Sequence, residues 1–175
     1  MKVLLISNMY PSGGNFSGIF IKRQIESIEK LGVQVTKVVK RRKNPAGYFS
    51  FIFHSIYALL FYDYDLVHAH YVPHSALVPA MMKWIRKKPL IVTFHGTDAR
   101  IFPWKNRINR MLTMFVVNRS DRIIARSKEM KFVLEKLGCL GKKIVVISAG
   151  VDTRICHPID KNKARADIGL PIGKF

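Results

Sequence analysis

The sequence contains few acidic residues. It has 11 Asp and Glu against 30 Lys and Arg, which gives a formal net charge of +19. Between Leu66 and Thr97 there is no carboxylate at all. A charge excess of this size attracts anions, so anionic lipid headgroups and phosphate-bearing substrates are candidate partners. No nucleic-acid-binding motif accompanies the basic residues, which are spread over several segments, so we expect no nucleic-acid partner.

Cysteines and long apolar runs are also scarce. The two cysteines, Cys139 and Cys156, show no paired spacing, which excludes a disulfide scaffold and is typical of a reducing compartment. The first residues, MKVLLIS, lack the apolar length and cleavage site of a signal peptide and predict a buried strand. We therefore expect a cytoplasmic protein.

Residues 48–62 are apolar nearly throughout and allow two interpretations. The segment is shorter than the ~20 residues that span a bilayer. A helix of this composition is typically buried between a sheet and a neighbouring element. The basic cluster of Arg41, Arg42 and Lys43 directly precedes it, and such a combination is also typical of a helix that lies on an anionic membrane surface. The second interpretation would place the protein peripherally on the inner face of the cell membrane.

Strand-like and helix-like segments alternate along the chain. Six short apolar runs are separated by stretches with apolar residues at helical spacing. The runs are residues 3–6, 33–39, 66–69, 90–94, 122–125 and 144–147. Helical connections join parallel strands, so the sequence predicts an α/β fold of the Rossmann-like, doubly wound type. We expect a mainly parallel sheet of about six strands with helices on both faces, formed by residues 1–160.

Several enzyme classes lack their motifs in this chain. The glycine loop GGNFSG is followed by Ile19, so it fails both the P-loop pattern and the dinucleotide pattern G-x-G-x-x-G. Dehydrogenase and sugar-phosphate epimerase domains are therefore disfavoured. Neither a G-x-S-x-G elbow nor a nucleophile–base triad occurs, which leaves hydrolase chemistry without support.

Histidines invite a metal hypothesis. His68, His70 and His74 are close in sequence, but no cysteine joins them. His68 falls inside a predicted strand, where a hydrogen-bonded core histidine is the usual case. A zinc site is the weaker alternative, and we expect no metal.

Polar residues follow the predicted strands at the end where ligands bind in an open parallel sheet. The glycine loop and the helix N-terminus after it are suited to hold a diphosphate. Ser127, with Glu129 two residues on, predicts a helix cap, and Arg126 beside it is suited to bind phosphate. The residues at the strand ends are Gly14, Gly18, His70, His74, His95, Asp98, Arg126 and Ser127.

Five segments in order resemble the N-terminal domain of GT-B glycosyltransferases of the retaining family 4 (group 1). They are YPSGGNFSGIFIKRQIESIEKLGVQV, DLVHAHY, PLIVTFHGTD, NRSDRIIARSKEMKFVLEKLG and KKIVVISAGVDTRICHP. The resemblance implies transfer of a sugar, with retention, from a nucleotide-sugar donor to a glycan or lipid-linked acceptor of the cell envelope. The nucleotide-sugar is a co-substrate, and the resemblance implies neither a cofactor nor a metal.

The resemblance also assigns roles to residues. It implies that catalytic His95 contacts the transferring sugar and that the backbone at Gly14 and Gly18 approaches the donor diphosphate. Acceptor or sugar contacts are expected from His70, His74, Asp98, Arg126 and Ser127. Residues 161–175 resemble the start of a linker to a C-terminal nucleotide-sugar domain, so we expect the isolated chain to be inactive. The alternative is a non-catalytic basic module that binds anionic membrane or nucleic acid.

Overall fold

The sheet has six strands, all parallel. A computed structural model describes residues 1–11, 16–41, 44–151, 153–154 and 156–172 of the 175-residue chain. The strands lie in the order β2-β1-β3-β4-β5-β6. They are β1 Lys2–Ser7, β2 Gln34–Val39, β3 Leu66–His70, β4 Leu90–Thr93, β5 Arg122–Ala125 and β6 Ile144–Val146.

Six helices connect the strands in the described part of the chain, and a seventh follows the last strand. They are α1 Ile19–Glu29, α2 Pro45–Phe61, α3 Leu77–Arg86, α4 Thr97–Arg100, α5 Arg107–Arg119, α6 Lys128–Leu137 and, after β6, α7 Lys161–Asp167. Their ends follow local chemistry: the Asn44 side chain caps α2, Asn106 caps α5, and Ser127 caps α6 as the sequence predicted. Gly138, with φ +109°, ends α6 as expected.

The core lies on both faces of the sheet. Leu4 and Ile6 of β1 face α2, α3, α5 and α6, whereas Leu5 faces α1 through Ile21 and Ile25. Because β1 is covered on both faces, its residues 3–6 are all apolar. The predicted doubly wound α/β fold with six parallel strands is therefore confirmed.

Helix α2 differs from the expectation of a fully buried element. It buries Phe51, Ala58 and Leu59 against the sheet, but Phe49 and Phe53 on its other side are 75% and 66% exposed. The burial interpretation of residues 48–62 is thus right for one face of the helix and wrong for the other. None of the helices in the described part of the chain is long and apolar enough to span a bilayer.

The segment predicted as a linker contains a helix. In α7 the Asp160 carboxylate accepts hydrogen bonds from the N–H groups of Asn162 and Lys163, which fixes the first turn. None of the residues of α7 is buried, so this helix adds nothing to the core of the sheet.

A pair of leucines tests this view of the core. Leu4 is completely buried and Leu31 is 82% exposed. We expect Leu4→Ala to lower the free energy of unfolding by about 2 to 5 kcal/mol, because it leaves a cavity between sheet and helices. The control Leu31→Ala should change it by less than about 0.5 kcal/mol. Urea denaturation measures both, and equal losses would contradict the assigned packing.

Candidate functional site

Strand β3 and the carboxyl end of β4 bring three histidines together. His68 and His70 lie on β3, and His95 follows β4 by two residues. His70 Nδ1 lies 3.0 Å from His95 Nε2, and the two rings stack with centroids 5.2 Å apart. The rings of His68 and His70 are 4.2 Å apart. We call these three residues the histidine cluster.

The cluster is formed because adjacent parallel strands end at the same edge of the sheet. His70 pairs with Thr93 across β3 and β4, so the residues that follow Thr93 pass directly beside His70. The sequence placed His70 and His95 at this edge, and the structure brings them into contact.

His68 is a core histidine, as expected. Its Nε2 lies 2.8 Å from Thr93 Oγ1, and its side chain is buried. Within the described residues no three His, Cys, Asp or Glu side chains are placed to hold a metal ion.

Asp98 holds the loop that carries His95. Its carboxylate accepts hydrogen bonds from the backbone N–H groups of His95, Gly96 and Val72, at 2.9, 2.8 and 3.3 Å. The side chain is only 4% exposed. Burial raises the pKa of Asp98, and the backbone hydrogen bonds act in the opposite direction. In this geometry Asp98 positions the two loops of the site, with its oxygens already engaged by the backbone.

The histidine cluster is neutral at physiological pH. Burial, followed by the charge of Arg126, lowers the pKa of His95 to about 3 and that of His68 to about 4. Burial also lowers the pKa of His70 well below its ordinary value. The hydrogen bond between His70 and His95 therefore joins two neutral rings, one donating and one accepting. Nδ1 of His95 makes no hydrogen bond within the described residues, which leaves it for a ligand.

Arg126 is the cation of this site. It follows β5, is partly buried, and is close enough that its charge lowers the pKa of all three clustered histidines. Burial lowers the pKa of Arg126 itself. Among the described residues no carboxylate forms an ion pair with it. A partly buried guanidinium without a carboxylate partner is suited to bind an anion.

Gly18 begins α1 in a conformation that only glycine adopts readily. Its φ is +81°, and a Cβ at this position would lie 2.8 Å from the carbonyl oxygen of Met9. No side chain caps α1, and its first turn contains no acidic residue. The Phe20 ring lies 4.9 Å from the His95 ring, so the start of α1 adjoins the histidine cluster. Gly14 lies outside the described residues.

Two other predicted residues lie at the same edge without joining the cluster. His74 is exposed, and its ring contacts Phe102 edge-on with centroids 4.8 Å apart. The Ser127 hydroxyl oxygen accepts a hydrogen bond from the N–H of Met130 at 3.1 Å, and in this way Ser127 caps α6.

Sequence reasoning missed Tyr71 and Phe20. Tyr71 packs on the His95 ring with centroids 4.4 Å apart, and its φ of +70° is unusual for a residue other than glycine. Burial, followed by the Asp98 charge, raises the pKa of Tyr71 to about 12, so the phenol keeps its proton. A backbone outlier at a ligand-binding edge is typical of functional sites. The only signal in the sequence was the position of Tyr71, directly after β3.

The comparison with protein families decides the identity of the chain. A family model described as Glycosyltransferase Family 4 matches residues 19–155. The chain belongs to glycosyltransferase family 4. The match covers α1 to β6 and therefore includes the histidine cluster, Asp98 and Arg126, and it confirms the resemblance stated from the sequence.

Relatives of this family 4 chain include two curated glycosyltransferases. An uncharacterized glycosyltransferase of Methanocaldococcus jannaschii is 35% identical over 112 residues, which cover 63% of this chain and 30% of that protein. The D-inositol 3-phosphate glycosyltransferase 1 of Catenulispora acidiphila is 27% identical over 121 residues, or 65% of this chain and 29% of that protein. The matched region thus spans less than a third of each relative.

The fold of this family 4 chain is also found among solved structures. Anabaena Alr3699/HepE in complex with UDP-glucose superposes with a TM-score of 0.63 at 19% identity. The superposition covers 97% of this chain and 50% of that one. The Rossmann-like domain of family 4 described here therefore corresponds in fold to about half of that larger chain.

The neutral histidines predict a loss of stability in acid. An unfolded histidine takes up its proton near pH 6.5, whereas buried His68 does so only near pH 4. The unfolded chain binds more protons in this window, so the free energy of unfolding should fall as the pH drops from about 6.5 to 4. His68 alone should account for about 3 kcal/mol of the loss.

Denaturation at a series of pH values measures this slope. His68→Gln should remove part of it, because the variant has no proton to take up at that site. The matched control, His54→Gln on the exposed side of α2, should leave the slope as it was. A slope that is unaffected by His68→Gln would show that His68 does not carry the acid sensitivity.

Proposed function

We propose that the intact protein transfers a sugar from a nucleotide-sugar donor to an acceptor bound at the carboxyl edge of this sheet. One observation carries the proposal: a family 4 chain places a neutral His70–His95 pair, an unpaired Arg126 and an uncapped helix N-terminus at the same edge. The UDP-glucose complex of the structural neighbour Alr3699/HepE supports a nucleotide-sugar as the donor.

The donor diphosphate would lie at the start of α1. The helix dipole favours negative charge there, and only glycine allows the chain to pass as close to Met9 as Gly18 does. The matched region spans less than a third of the curated relatives. We propose that the rest of the donor site lies in sequence beyond this domain, and that the domain alone is inactive.

The chemistry we propose keeps the configuration of the sugar. The bond between the anomeric carbon and the diphosphate oxygen breaks, the acceptor oxygen bonds to that carbon on the same face, and the acceptor proton passes to the departing diphosphate. The only carboxylate described next to the histidine cluster is Asp98, and its oxygens accept backbone hydrogen bonds. It is therefore poorly placed to act as a nucleophile, which supports the same-face route.

His95 would act as a neutral hydrogen-bonding group in this reaction. Its pKa of about 3 excludes a standing positive charge near pH 7. The His70 partner fixes the ring orientation, so His95 Nδ1 can meet a hydroxyl of the transferring sugar. The proposal invokes neither a metal nor a cofactor, and the dipole of α1 would contribute to the electrostatic stabilisation of the diphosphate.

The acceptor would carry an anionic group at Arg126. The guanidinium is partly buried, and no described carboxylate neutralises it, so a phosphate on the acceptor would complete the site. The name of the relative from Catenulispora acidiphila includes a phosphate-bearing inositol, which supports this acceptor class. Glycans or lipid-linked carriers that bear phosphate fit the same description.

Replacement of His95 tests the transferase proposal. The intact protein is incubated with a panel of radiolabelled nucleotide-sugars that includes UDP-glucose. We expect transfer of the labelled sugar to an acceptor, or slow transfer of that sugar to water. His95→Ala should lower kcat by about a hundredfold or more, since one preorganised polar contact at the reacting centre is lost. His54→Ala, which removes an exposed histidine of α2, is the control. Turnover that survives His95→Ala would remove His95 from the reaction.

Replacement of Arg126 tests the anion site without any turnover. We expect inorganic phosphate to shift the NMR signals of the His70 and His95 rings in a saturable way. Arg126→Gln should weaken this binding at least tenfold, because a charge-assisted contact is lost. Arg122→Gln, an exposed arginine of β5, should leave it unchanged. Equal phosphate affinity in both variants would argue against Arg126 as the acceptor-binding cation.

A further inference from the structure

Helix α2 has two apolar faces, and the sheet covers only one of them. Phe51, Ala58 and Leu59 pack into the core. The opposite stripe is exposed and repeats at helical spacing, with Phe61 at its end 68% exposed. A helix that covers a core needs a single apolar stripe, so the second stripe is unexplained by folding. Its members are Phe49, Ile52, Phe53, Ile56, Tyr57 and Phe61.

The exposed apolar surface continues onto the neighbouring helices. α2 packs beside α3, and α3 packs beside α5, in the same layer over the sheet. On α3, Trp84 and Met81 are 70% and 55% exposed, and on α5, Ile108 and Met111 are 65% and 64% exposed. We call the exposed side chains of α2, α3 and α5 the outer face. Exposed apolar surface of this extent marks an interaction site.

The charge of the outer face has one sign. The three helices α2, α3 and α5 contain no Asp or Glu. Five cations at or beside the ends of these helices form no ion pair with a described carboxylate. The acids next to the helices, Asp63 and Asp121, are paired with Lys2 and Lys83, each at 2.6 Å. The five are Lys40, Arg41, Lys87, Lys105 and Arg107. An apolar, aromatic centre between cations, without acids, complements an anionic bilayer surface, whose headgroups are negative and whose interior is apolar.

We propose that the outer face docks on a bilayer of anionic phospholipid, with the rings of Phe49, Phe53 and Phe61 inserted at the level of the headgroups. No described helix can span a bilayer, so α2 would lie along the surface. α2 starts after the carboxyl end of β2, so one end of the docked helix lies at the sheet edge that carries the histidine cluster. The proposal goes beyond sugar transfer and does not depend on it.

Vesicle binding by the intact protein tests the proposal. Vesicles of phosphatidylcholine are compared with vesicles in which about a third of the lipid is phosphatidylglycerol, both at ~0.1 M salt. We expect co-sedimentation with the anionic vesicles and little with the neutral ones. Phe53→Ser should weaken binding about tenfold and Arg41→Gln about fivefold. Phe132→Ser is the matched control, because Phe132 is 57% exposed on α6, outside the outer face, and should leave binding unchanged.

Tryptophan fluorescence locates the contact. This sequence has two tryptophans, Trp84 of the outer face and Trp104. The signal of Trp84 in the intact protein is isolated as the difference between the Trp104→Phe variant and the variant that also carries Trp84→Phe. Its emission should shift to the blue with anionic vesicles and be quenched by brominated lipid. Because the replaced side chains are exposed, we expect each variant to keep its fold. Thermal melting of each variant checks this.

Three results would overturn the proposal. The first is failure of the intact protein to bind anionic vesicles at ~0.1 M salt. The second is binding that Phe53→Ser and Phe132→Ser reduce equally. The third is Trp84 emission that is already blue without lipid and indifferent to vesicles, which would show that another part of the protein or a second copy covers the outer face. Loss of transferase activity alone would bear only on the proposed function.

Discussion

The candidate site depends on one buried carboxylate. Asp98 accepts the N–H groups of His95 and Gly96 from its own loop and that of Val72 from the loop after β3. These hydrogen bonds fix the positions of the two loops relative to each other. The one from Val72 comes directly after Tyr71 in the chain, whose φ of +70° is unfavourable by itself. The contact between His70 and His95 exists because both loops are held in this way. An acidic residue that follows a strand end can therefore serve the site without touching a ligand.

Burial then determines the protonation state of the histidines in this site. Three histidines and an arginine share a small volume, which would be costly if the histidines were charged. Desolvation and the charge of Arg126 act in the same direction and keep all three rings neutral. The positive charge of the site is thus concentrated on one guanidinium, and the histidines contribute directional hydrogen bonds. That division suits a ligand that combines hydroxyl groups with an anion, as a phosphorylated glycan does.

The fold was predictable from the sequence because its signals are local and repeated. Apolar runs such as that of β1, helical stripes and caps such as Ser127 all agree on parallel strands joined by helices. The candidate site was predictable only as a set of strand ends. The sequence did not show that backbone N–H groups engage the oxygens of Asp98, or that Arg126 has no described carboxylate partner. Tyr71 was missed because its role arises from a backbone conformation and from packing on His95, and neither leaves a periodic pattern.

Helix α2 shows why composition alone was ambiguous for one segment. The sequence of a uniformly apolar helix does not show whether its second face meets protein or solvent. The contrast between an apolar and a polar face, which normally reveals the orientation of a helix, is missing. The layer in which α2 lies resolves the question for this domain: α3 flanks it on one side, the sheet lies beneath it, and the described chain places nothing over Phe49 and Phe53. Exposed aromatic rings reduce the solubility of a protein, so their presence indicates a partner that covers them. Because α2, α3 and α5 contain no acidic residue and cations flank them, an anionic surface is the partner whose charge matches.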